Sequence, residues 1–294
     1  MNDLGSKFFG TENEVCQINL FSDASSKGWG GYVDPKCFNL EQGFEIFGAW
    51  EISERSKSST WRELEGAHRV MRSALRECKG KKVKLFTDNK NVKSIITAGS
   101  SKNDLQKVAL EVVDFCTEND IKVIPEWIPR ELNEHADFNS KCLDSDDWSL
   151  QTRFFLLLDY WWGPHTIDRF ATHYNSKCKR FNSRVWCPGT EAVNAFDQSW
   201  EGEVNWIVPP PRLILRCLQK MRSEKARGTM IMPVWKSGIF WPFVHPTKHG
   251  FANFVESTKS LPRRNLIKSG FGNNGVFGNI ELPFDMMAIK LNFD

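Results

Sequence analysis

The sequence predicts an α/β fold: a mixed five-stranded sheet flanked by helices, followed by a second, smaller α/β domain. Three segments in which apolar and polar residues alternate come first, at 15–23, 28–33 and 44–52, and they predict an antiparallel meander. Strands predicted at 82–88 and 121–127 then alternate with helices, which indicates parallel strands joined by helical crossovers. The chain has 294 residues, 40% of them hydrophobic, and this suffices for two domains with their own cores.

The longest helix predicted in the first half spans residues 61–78. Thr60 followed by Glu63 matches a capping box, which predicts a helix start at this point. Apolar residues at helical spacing predict a core-facing side. Arginines on the other side predict a basic surface: Arg62, Arg69, Arg72 and Arg76. Further helices are predicted at 89–98, at 103–119 and around 133–137.

Turn-forming and acidic residues at 138–150 predict a domain boundary. The chain is accordingly divided into an extension at 1–14, a first domain at 15–145, a second domain at 146–250 and a tail at 251–294. In the second domain, predicted strands and helices alternate. The tail is rich in Gly and Asn and is predicted to be loosely ordered.

Charge is distributed unevenly along the chain. Residues 1–150 carry a net charge of −5 and residues 151–294 a net charge of +8, which suggests a polyanionic partner for the basic second half. No apolar run approaches the roughly 20 residues of a membrane span, and no signal-peptide core is present at the N-terminus. The eight cysteines form no CxxC pair, so we expect reduced thiols and an intracellular (cytoplasmic or nuclear) protein without a membrane partner.

Four acidic residues occupy matching places on the predicted elements. Asp23 and Asp88 each end a strand, Glu63 lies near the start of the long helix, and Asp137 lies in the last helix of the first domain. Four converging carboxylates repel one another unless a cation joins them, and an all-oxygen ligand set favours Mg²⁺ or Mn²⁺. Two such ions about 3.5–4 Å apart can clamp the attacking and leaving oxygens of a phosphoryl displacement. The sequence therefore predicts a two-ion site for phosphodiester hydrolysis.

The motifs around these acids resemble the type I ribonuclease H family, most closely the version that follows reverse transcriptase in DIRS-type retroelements. They are Asp23-Ala-Ser, Ser59-Thr-Trp-Arg-Glu63, Phe86-Thr-Asp88-Asn and Asn133-Glu-His-Ala-Asp137, and the resemblance covers about residues 15–142. It implies that the four acids are catalytic metal ligands. It also implies that Ser25, Ser59, Asn89, Asn133 and Arg130 contact the substrate. The implied reaction is hydrolysis of the RNA strand of an RNA–DNA hybrid, with a reverse transcriptase and a recombinase of the same element as possible partners.

Two features depart from the family pattern. Many members carry a mobile His shortly before the fourth acid, whereas the loop at 128–132 has none, and His135 lies too far along the chain to replace it. Arg130 in this loop can hold a phosphate but cannot act as a general acid, because its pKa exceeds about 12. The segment at 97–104 is too short for the basic handle with which bacterial members grip the hybrid, so grip is expected from the basic helix face, the second half or a polymerase.

The second half resembles the segment downstream of ribonuclease H in the same retroelements. More distantly, it resembles the phage-type adenine-N6 DNA methyltransferases. Trp206-Ile-Val-Pro-Pro-Pro211 falls where those enzymes have an Asn-Pro-Pro-Tyr motif. Val208 cannot accept a hydrogen bond from the base amine, and Pro211 replaces the stacking aromatic. We therefore expect a degenerate domain that packs or binds nucleic acid. Two alternatives to a nuclease remain open for the whole chain: a catalytically idle nucleic-acid-binding module, and an adenine-N6 methyltransferase.

Overall fold

The computed structural model describes two compact units. The described residues are 16–34, 44–144, 147–246, 250–270 and 275–294. The division between the units lies between Leu143 and Asp144. The predicted extension at 1–14 lies outside the described residues.

The first unit is built on a five-stranded mixed sheet. Its strands are β1 (Ile18–Ala24), β2 (Gly28–Val33), β3 (Phe44–Ala49), β4 (Lys82–Thr87) and β5 (Lys122–Trp127). The order across the sheet is β3-β2-β1-β4-β5. The first three strands are antiparallel, whereas β4 pairs parallel with both β1 and β5. The predicted mixed five-stranded sheet is confirmed.

Helices flank this sheet. They are α1 (Ile52–Arg55), α2 (Ser59–Ser73), α3 (Leu75–Cys78), α4 (Lys90–Ala98), α5 (Asn103–Glu118) and α6 (Glu134–Asn139). The predicted 61–78 helix is thus two helices, α2 and α3. The predicted capping box is also wrong, because the N-cap is Ser58, whose hydroxyl accepts the N–H of Trp61. Glu63 therefore lies one turn inside α2 and does not cap the helix.

The predicted basic face of α2 is wrong in one important respect. Arg69 is buried: its Nε donates to Glu65 at 2.7 Å, a second nitrogen donates to Glu54, and its guanidinium lies 4.9 Å from the ring centre of Trp50. A buried guanidinium is stable only when its donors are satisfied in this way. Arg69 therefore stabilises the packing of α1 on α2 and does not contribute to a nucleic-acid-binding surface.

The core of the first unit forms between α2 and the sheet. Leu64, Val70 and Met71 of α2 are fully buried, as are Leu20 of β1 and Leu85 of β4. Burying each such side chain contributes about 1.5–3 kcal/mol. This packing fixes α2 across β1, which contains Asp23 near its end, and β4, which Asp88 directly follows.

Helix α6 lies directly against β2 because Gly30 has no side chain. A Cβ built on Gly30 would lie only 2.3 Å from backbone atoms of Asn139 and Ser140. The Asn139 amide donates to the carbonyl of Gly31 at 3.0 Å and holds the helix in this position. The close approach brings α6, and with it Asp137, next to the end of β1.

The second unit contains a seven-stranded sheet. Its order is β12-β14-β11-β10-β7-β8-β9. The strands are β7 (Ile167–Asp168), β8 (Arg180–Ser183), β9 (Ala192–Val193), β10 (Val204–Ile207), β11 (Arg227–Pro233), β12 (Val255–Leu261) and β14 (Met286–Asn292). Strands β7 to β11 run parallel, and β14 is antiparallel to β11 and β12. Strand order reverses between β7 and β10, a point where open α/β sheets bind ligands.

Among its described residues, this unit also has two short strands and three α-helices. They are β6 (Trp148–Leu150), β13 (Ile267–Ser269), α7 (Thr152–Trp162), α8 (Ile214–Ser223) and α9 (Trp241–Val244). Strands β6 and β13 pair antiparallel in a separate sheet.

The expectation of a loosely ordered tail at 251–294 is wrong for its described residues. Strand β14 lies between β11 and β12. Five of its seven residues are buried, and only Lys290 and Asn292 are partly exposed. The apolar residues of this strand were obscured in the sequence by the Gly- and Asn-rich segment before it. Local composition does not reveal that a distant strand needs this partner.

Two further findings concern the chain as a whole. Within the described residues, no helix is both long and apolar enough to cross a membrane. The cysteines that the structure describes are not joined by disulfides.

Candidate metal centre

The register of β1 and β4 brings Asp23 and Asp88 side by side. The two strands are parallel, and Phe21 is paired with Phe86. Asp23 lies two residues beyond Phe21, and Asp88 lies two residues beyond Phe86. Because side chains alternate along a strand, both carboxylates continue the same face at the same height. The prediction that these acids meet at one edge of the sheet agrees with this register.

Glu63 reaches the same point from α2. Ligand oxygens of Asp23, Glu63 and Asp88 all lie within 4.8 Å of one another. The Oε2 atom of Glu63 is buried and has no hydrogen-bond partner among the described residues. A buried carboxylate oxygen without a partner is costly, and its position facing two further carboxylates is what a cation site requires.

The electrostatics of the three acids reflect this crowding. Burial, followed by the negative charges of Asp23 and Asp88, raises the pKa of Glu63 to about 9. Burial also raises the pKa of Asp23, and the charges of Asp88 and Asp137 add to this effect, while a hydrogen bond with Ser140 opposes it. Burial likewise raises the pKa of Asp88, although the positive charge of Arg130 lowers it. The site therefore holds more negative charge than the protein itself balances.

Asp137 is not part of the three-acid group. Its Oδ1 accepts a hydrogen bond from Arg130 at 2.7 Å, and its Oδ2 accepts one from Lys141. Partial burial raises the pKa of Asp137, but the hydrogen bonds and charges of Lys141 and Arg130 outweigh this and leave the pKa below its usual value. Asp137 is nevertheless near, since its charge acts on both Asp23 and Asp88.

Three of the predicted substrate contacts have local roles or are exposed. The Ser25 hydroxyl donates to the carbonyl of Ser140 at 2.7 Å and accepts the N–H of Gly28, so it fixes the β1–β2 turn. The Asn89 side chain caps α4 by accepting the N–H of Asn91. Ser59, the first residue of α2, is exposed and free to meet a ligand.

Asn133 cannot contact a substrate in this structure. Its side chain is fully buried, and its Nδ2 donates to the carbonyl of Ser22 at 3.0 Å. This bond ties the start of α6 to β1 immediately before Asp23. Asn133 therefore positions the site, and the implied substrate contact is corrected to a structural one. The sequence gives no sign of this, because Asn is common at both exposed turns and buried bridges.

His135 lies on the surface and has partners of its own. Its ring stacks on Tyr32 with centroids 4.2 Å apart, and its Nε2 lies 2.7 Å from a carboxylate oxygen of Glu45. This agrees with the expectation that His135 does not replace the missing loop histidine.

Lys141 is a residue of the site that sequence reasoning missed. It lies four residues after Asp137, a spacing at which opposite charges meet on a helix. That signal was present in the sequence, but the pairing is meaningful only because α6 and the turn after it bring both residues to the metal centre.

The three acids fit a hard divalent cation. The donor set consists of carboxylate oxygens only, with one of them buried and without a partner, and Mg²⁺ and Mn²⁺ prefer such ligands. Asp23, Glu63 and Asp88 would hold the ion. When bound, it would neutralise the excess charge and lower the pKa of a coordinated water.

The raised pKa of Glu63 predicts that the metal-free protein loses stability as the pH rises. A carboxyl group with a pKa of 4.5 in the unfolded chain and about 9 in the folded protein binds its proton more tightly when folded. Its contribution is complete below pH 4.5 and is lost as the pH approaches 9. In a chelator, we expect the unfolding temperature to fall over this interval, less steeply for Glu63→Gln, and Mg²⁺ to offset the fall. Identical slopes for both proteins would contradict this assignment.

Comparisons with known proteins yield structural neighbours for one part of the chain. No family model matches the chain, and no curated protein matches it. Among solved structures, RNase H1 from Halobacterium salinarum is 16% identical, with 42% of this chain and 92% of that chain covered and a TM-score of 0.34. The N-terminal RNase H domain of Rv2228c from Mycobacterium tuberculosis is 15% identical, with 42% and 94% covered and a TM-score of 0.33.

A third neighbour is LC11-RNase H1, solved in complex with an RNA/DNA hybrid. It is 14% identical, with 42% of this chain and 92% of that chain covered and a TM-score of 0.34. At these identities and scores, the function of this chain must be inferred from its own side chains.

Proposed function

We propose that the first unit is a divalent-metal-dependent nuclease that hydrolyses the RNA strand of RNA–DNA hybrids. The observation that carries this proposal is the convergence of Asp23, Glu63 and Asp88 within 4.8 Å, with a pKa of Glu63 raised to about 9. Acids arranged in this way are unfavourable unless a cation binds them. The family resemblance of the surrounding motifs supports the choice of hybrid as substrate.

Each side chain has a role in this proposal. Asp23, Glu63 and Asp88 hold Mg²⁺ or Mn²⁺, and Asp137 completes the site for a second ion. Arg130, exposed and next to Asp137, binds the phosphate backbone of the substrate. The hydrolysis leaves a 3′-hydroxyl and a 5′-phosphate. Since no histidine of this loop is available to protonate the leaving oxygen, we expect slow turnover and proton transfer from water.

The direct test is cleavage of a labelled RNA strand by the purified chain. We expect cleavage of the RNA–DNA hybrid in Mg²⁺, none of single-stranded RNA, and none after chelation. Glu63→Gln should abolish activity, whereas Glu118→Gln, an exposed change of the same kind on α5, should not. Salt-sensitive binding of the hybrid without any metal-dependent cleavage would favour the alternative of a catalytically idle binding module.

For the second unit, we propose a degenerate methyltransferase-like domain without methyl transfer. Its sheet has a reversal of strand order between β7 and β10, where a cofactor would bind. Asp168 at the end of β7 is buried, however, and its carboxylate accepts the N–H groups of Phe170 and Lys177. After β10, Val208 and Pro211 supply neither an acceptor nor an aromatic ring for a base.

We expect no transfer of a labelled methyl group from S-adenosylmethionine to adenine-containing DNA. The measurement is incorporation of label into duplex and single-stranded DNA, with an active adenine methyltransferase as the positive control. Incorporation that disappears on Asp168→Ala would contradict a non-catalytic second unit and would favour the methyltransferase alternative.

We further propose that the chain derives from a DIRS-type retroelement and works with its reverse transcriptase. Support comes from the resemblance of the four acidic motifs and from the shortness of the segment between α4 and α5, residues 99–102, which leaves no room for a basic handle. Addition of such a reverse transcriptase should increase the rate of hybrid cleavage. A rate unchanged at saturating polymerase would argue against this partner.

A further inference from the structure

Asp137 differs from the other three acids because the protein already balances its charge. Both of its carboxylate oxygens accept hydrogen bonds from cationic side chains, Oδ1 from Arg130 at 2.7 Å and Oδ2 from Lys141. By contrast, one oxygen of Glu63 is buried and has no partner among the described residues. The site is thus asymmetric. The charges of three acids are not balanced by the protein, whereas the charge of Asp137 is balanced by two cationic side chains.

The two cations are attached to Asp137 by local structure. Arg130 opens the short 3-10 helix Arg130–Leu132 that precedes α6, and Lys141 follows Asp137 by four residues. The Asp137 side chain is 21% exposed, while those of Arg130 and Lys141 are 69% and 52% exposed. Both side chains are solvent-exposed, so water can solvate their charges when they break the ion pair with Asp137. They can therefore exchange Asp137 for another anion without unfolding the site.

The position of Arg130 also bears on metal binding. Its guanidinium lies 2.7 Å from Oδ1 of Asp137, where its positive charge opposes the approach of a further cation to that carboxylate. A unit charge about 6 Å from a divalent ion, screened as strongly as in water, changes the affinity of that ion by about tenfold.

We propose that Arg130 and Lys141 are built-in counter-cations that hold Asp137 back from metal binding, so that the resting site takes one divalent cation tightly and a second only weakly. This inference rests on the proposed function. It assigns the tight ion to Asp23, Glu63 and Asp88 and makes the second ion depend on release of Asp137. A phosphate of the substrate is the natural competitor, because a guanidinium binds phosphate at least as well as carboxylate.

The test is a calorimetric titration of the full chain with Mn²⁺. Glu65, His68 and Glu111 form a second group of potential metal ligands, which could add to the number of bound ions. Only the ions that are no longer bound in an Asp23→Asn variant are therefore assigned to the three-acid site. The unsubstituted chain should bind one such ion tightly. In Arg130→Gln, we expect the second ion to bind about tenfold more tightly. The matched control is Lys102→Gln, an exposed change directly before α5 that should leave both affinities unchanged.

A double variant separates charge release from a general effect on the protein. Asp137→Asn combined with Arg130→Gln should show no gain for the second ion, because its ligand is removed. The Mg²⁺ concentration for half-maximal cleavage should fall about tenfold in Arg130→Gln alone.

Two outcomes would overturn the inference and leave the nuclease intact: two equally tight ions in the unsubstituted chain, or an unchanged second affinity in both Arg130→Gln and Lys141→Gln. Absence of any Asp23-dependent ion would overturn the proposed function as well.

Discussion

Asp23→Asn and Asp88→Asn should each lower the rate of hybrid cleavage by about a thousandfold. Asparagine keeps the size of the side chain but removes one of the charges that bind the divalent cation, and loss of a single electrostatic group at a catalytic centre typically costs 10²–10³-fold or more. The measurement is the initial rate of cleavage of the RNA strand in Mg²⁺. The control is Asp114→Asn, the same change at an exposed position on α5.

The same variants should not destabilise the metal-free protein. Burial and neighbouring carboxylates raise the pKa values of Asp23 and Asp88, so each charge is unfavourable when no cation is bound. We therefore expect unfolding temperatures in chelator that are equal to or higher than that of the unsubstituted chain. Full cleavage activity in both variants would refute the metal site, and lost activity with a collapsed unfolding temperature would indicate misfolding instead.

Gly30→Ala should destabilise the first unit by about 3 kcal/mol, at the upper end of what overpacking usually costs. A Cβ at this position would lie 2.3 Å from backbone atoms of Asn139 and Ser140, and backbone cannot move aside as a flexible side chain can. Gly30 is also the cross-strand partner of Asp23. We expect α6 to be displaced, so hybrid cleavage should fall together with stability.

Hydrogen exchange of the β1 amides would localise the loss of stability to the first unit. The control is Gly80→Ala, where no atom lies within 4 Å and only the positive φ of 70° disfavours alanine, at a cost of about 1 kcal/mol. Equal exchange rates in Gly30→Ala and Gly80→Ala would show that α6 does not depend on the missing side chain.

Much of the fold of the first unit could be predicted because its signals are local. Alternation of apolar residues marked the strands, helical periodicity marked α2, α4 and α5, and the ends of two strands marked Asp23 and Asp88. Register did the rest: once β1 and β4 are parallel neighbours, residues two positions beyond the paired Phe21 and Phe86 must lie side by side.

Other features could not be predicted because they depend on distant partners. From sequence alone, an arginine on a helix can be solvent-exposed or can form a buried ion pair. Arg69 forms a buried ion pair because α1 packs against α2. The strand Met286–Asn292 forms because it pairs with β11. The sequence of the tail contains no information about this distant pairing partner.

The sequence by itself determined the mixed sheet and which acids stand at the ends of its elements, since both follow from short-range periodicity and residue type. Only the tertiary structure decided how those acids are divided. It brings ligand oxygens of Asp23, Glu63 and Asp88 within 4.8 Å of one another, whereas Asp137 accepts hydrogen bonds from Arg130 and Lys141. The physical reason is that charge balance depends on distances between side chains from separate elements, and these distances are fixed by packing.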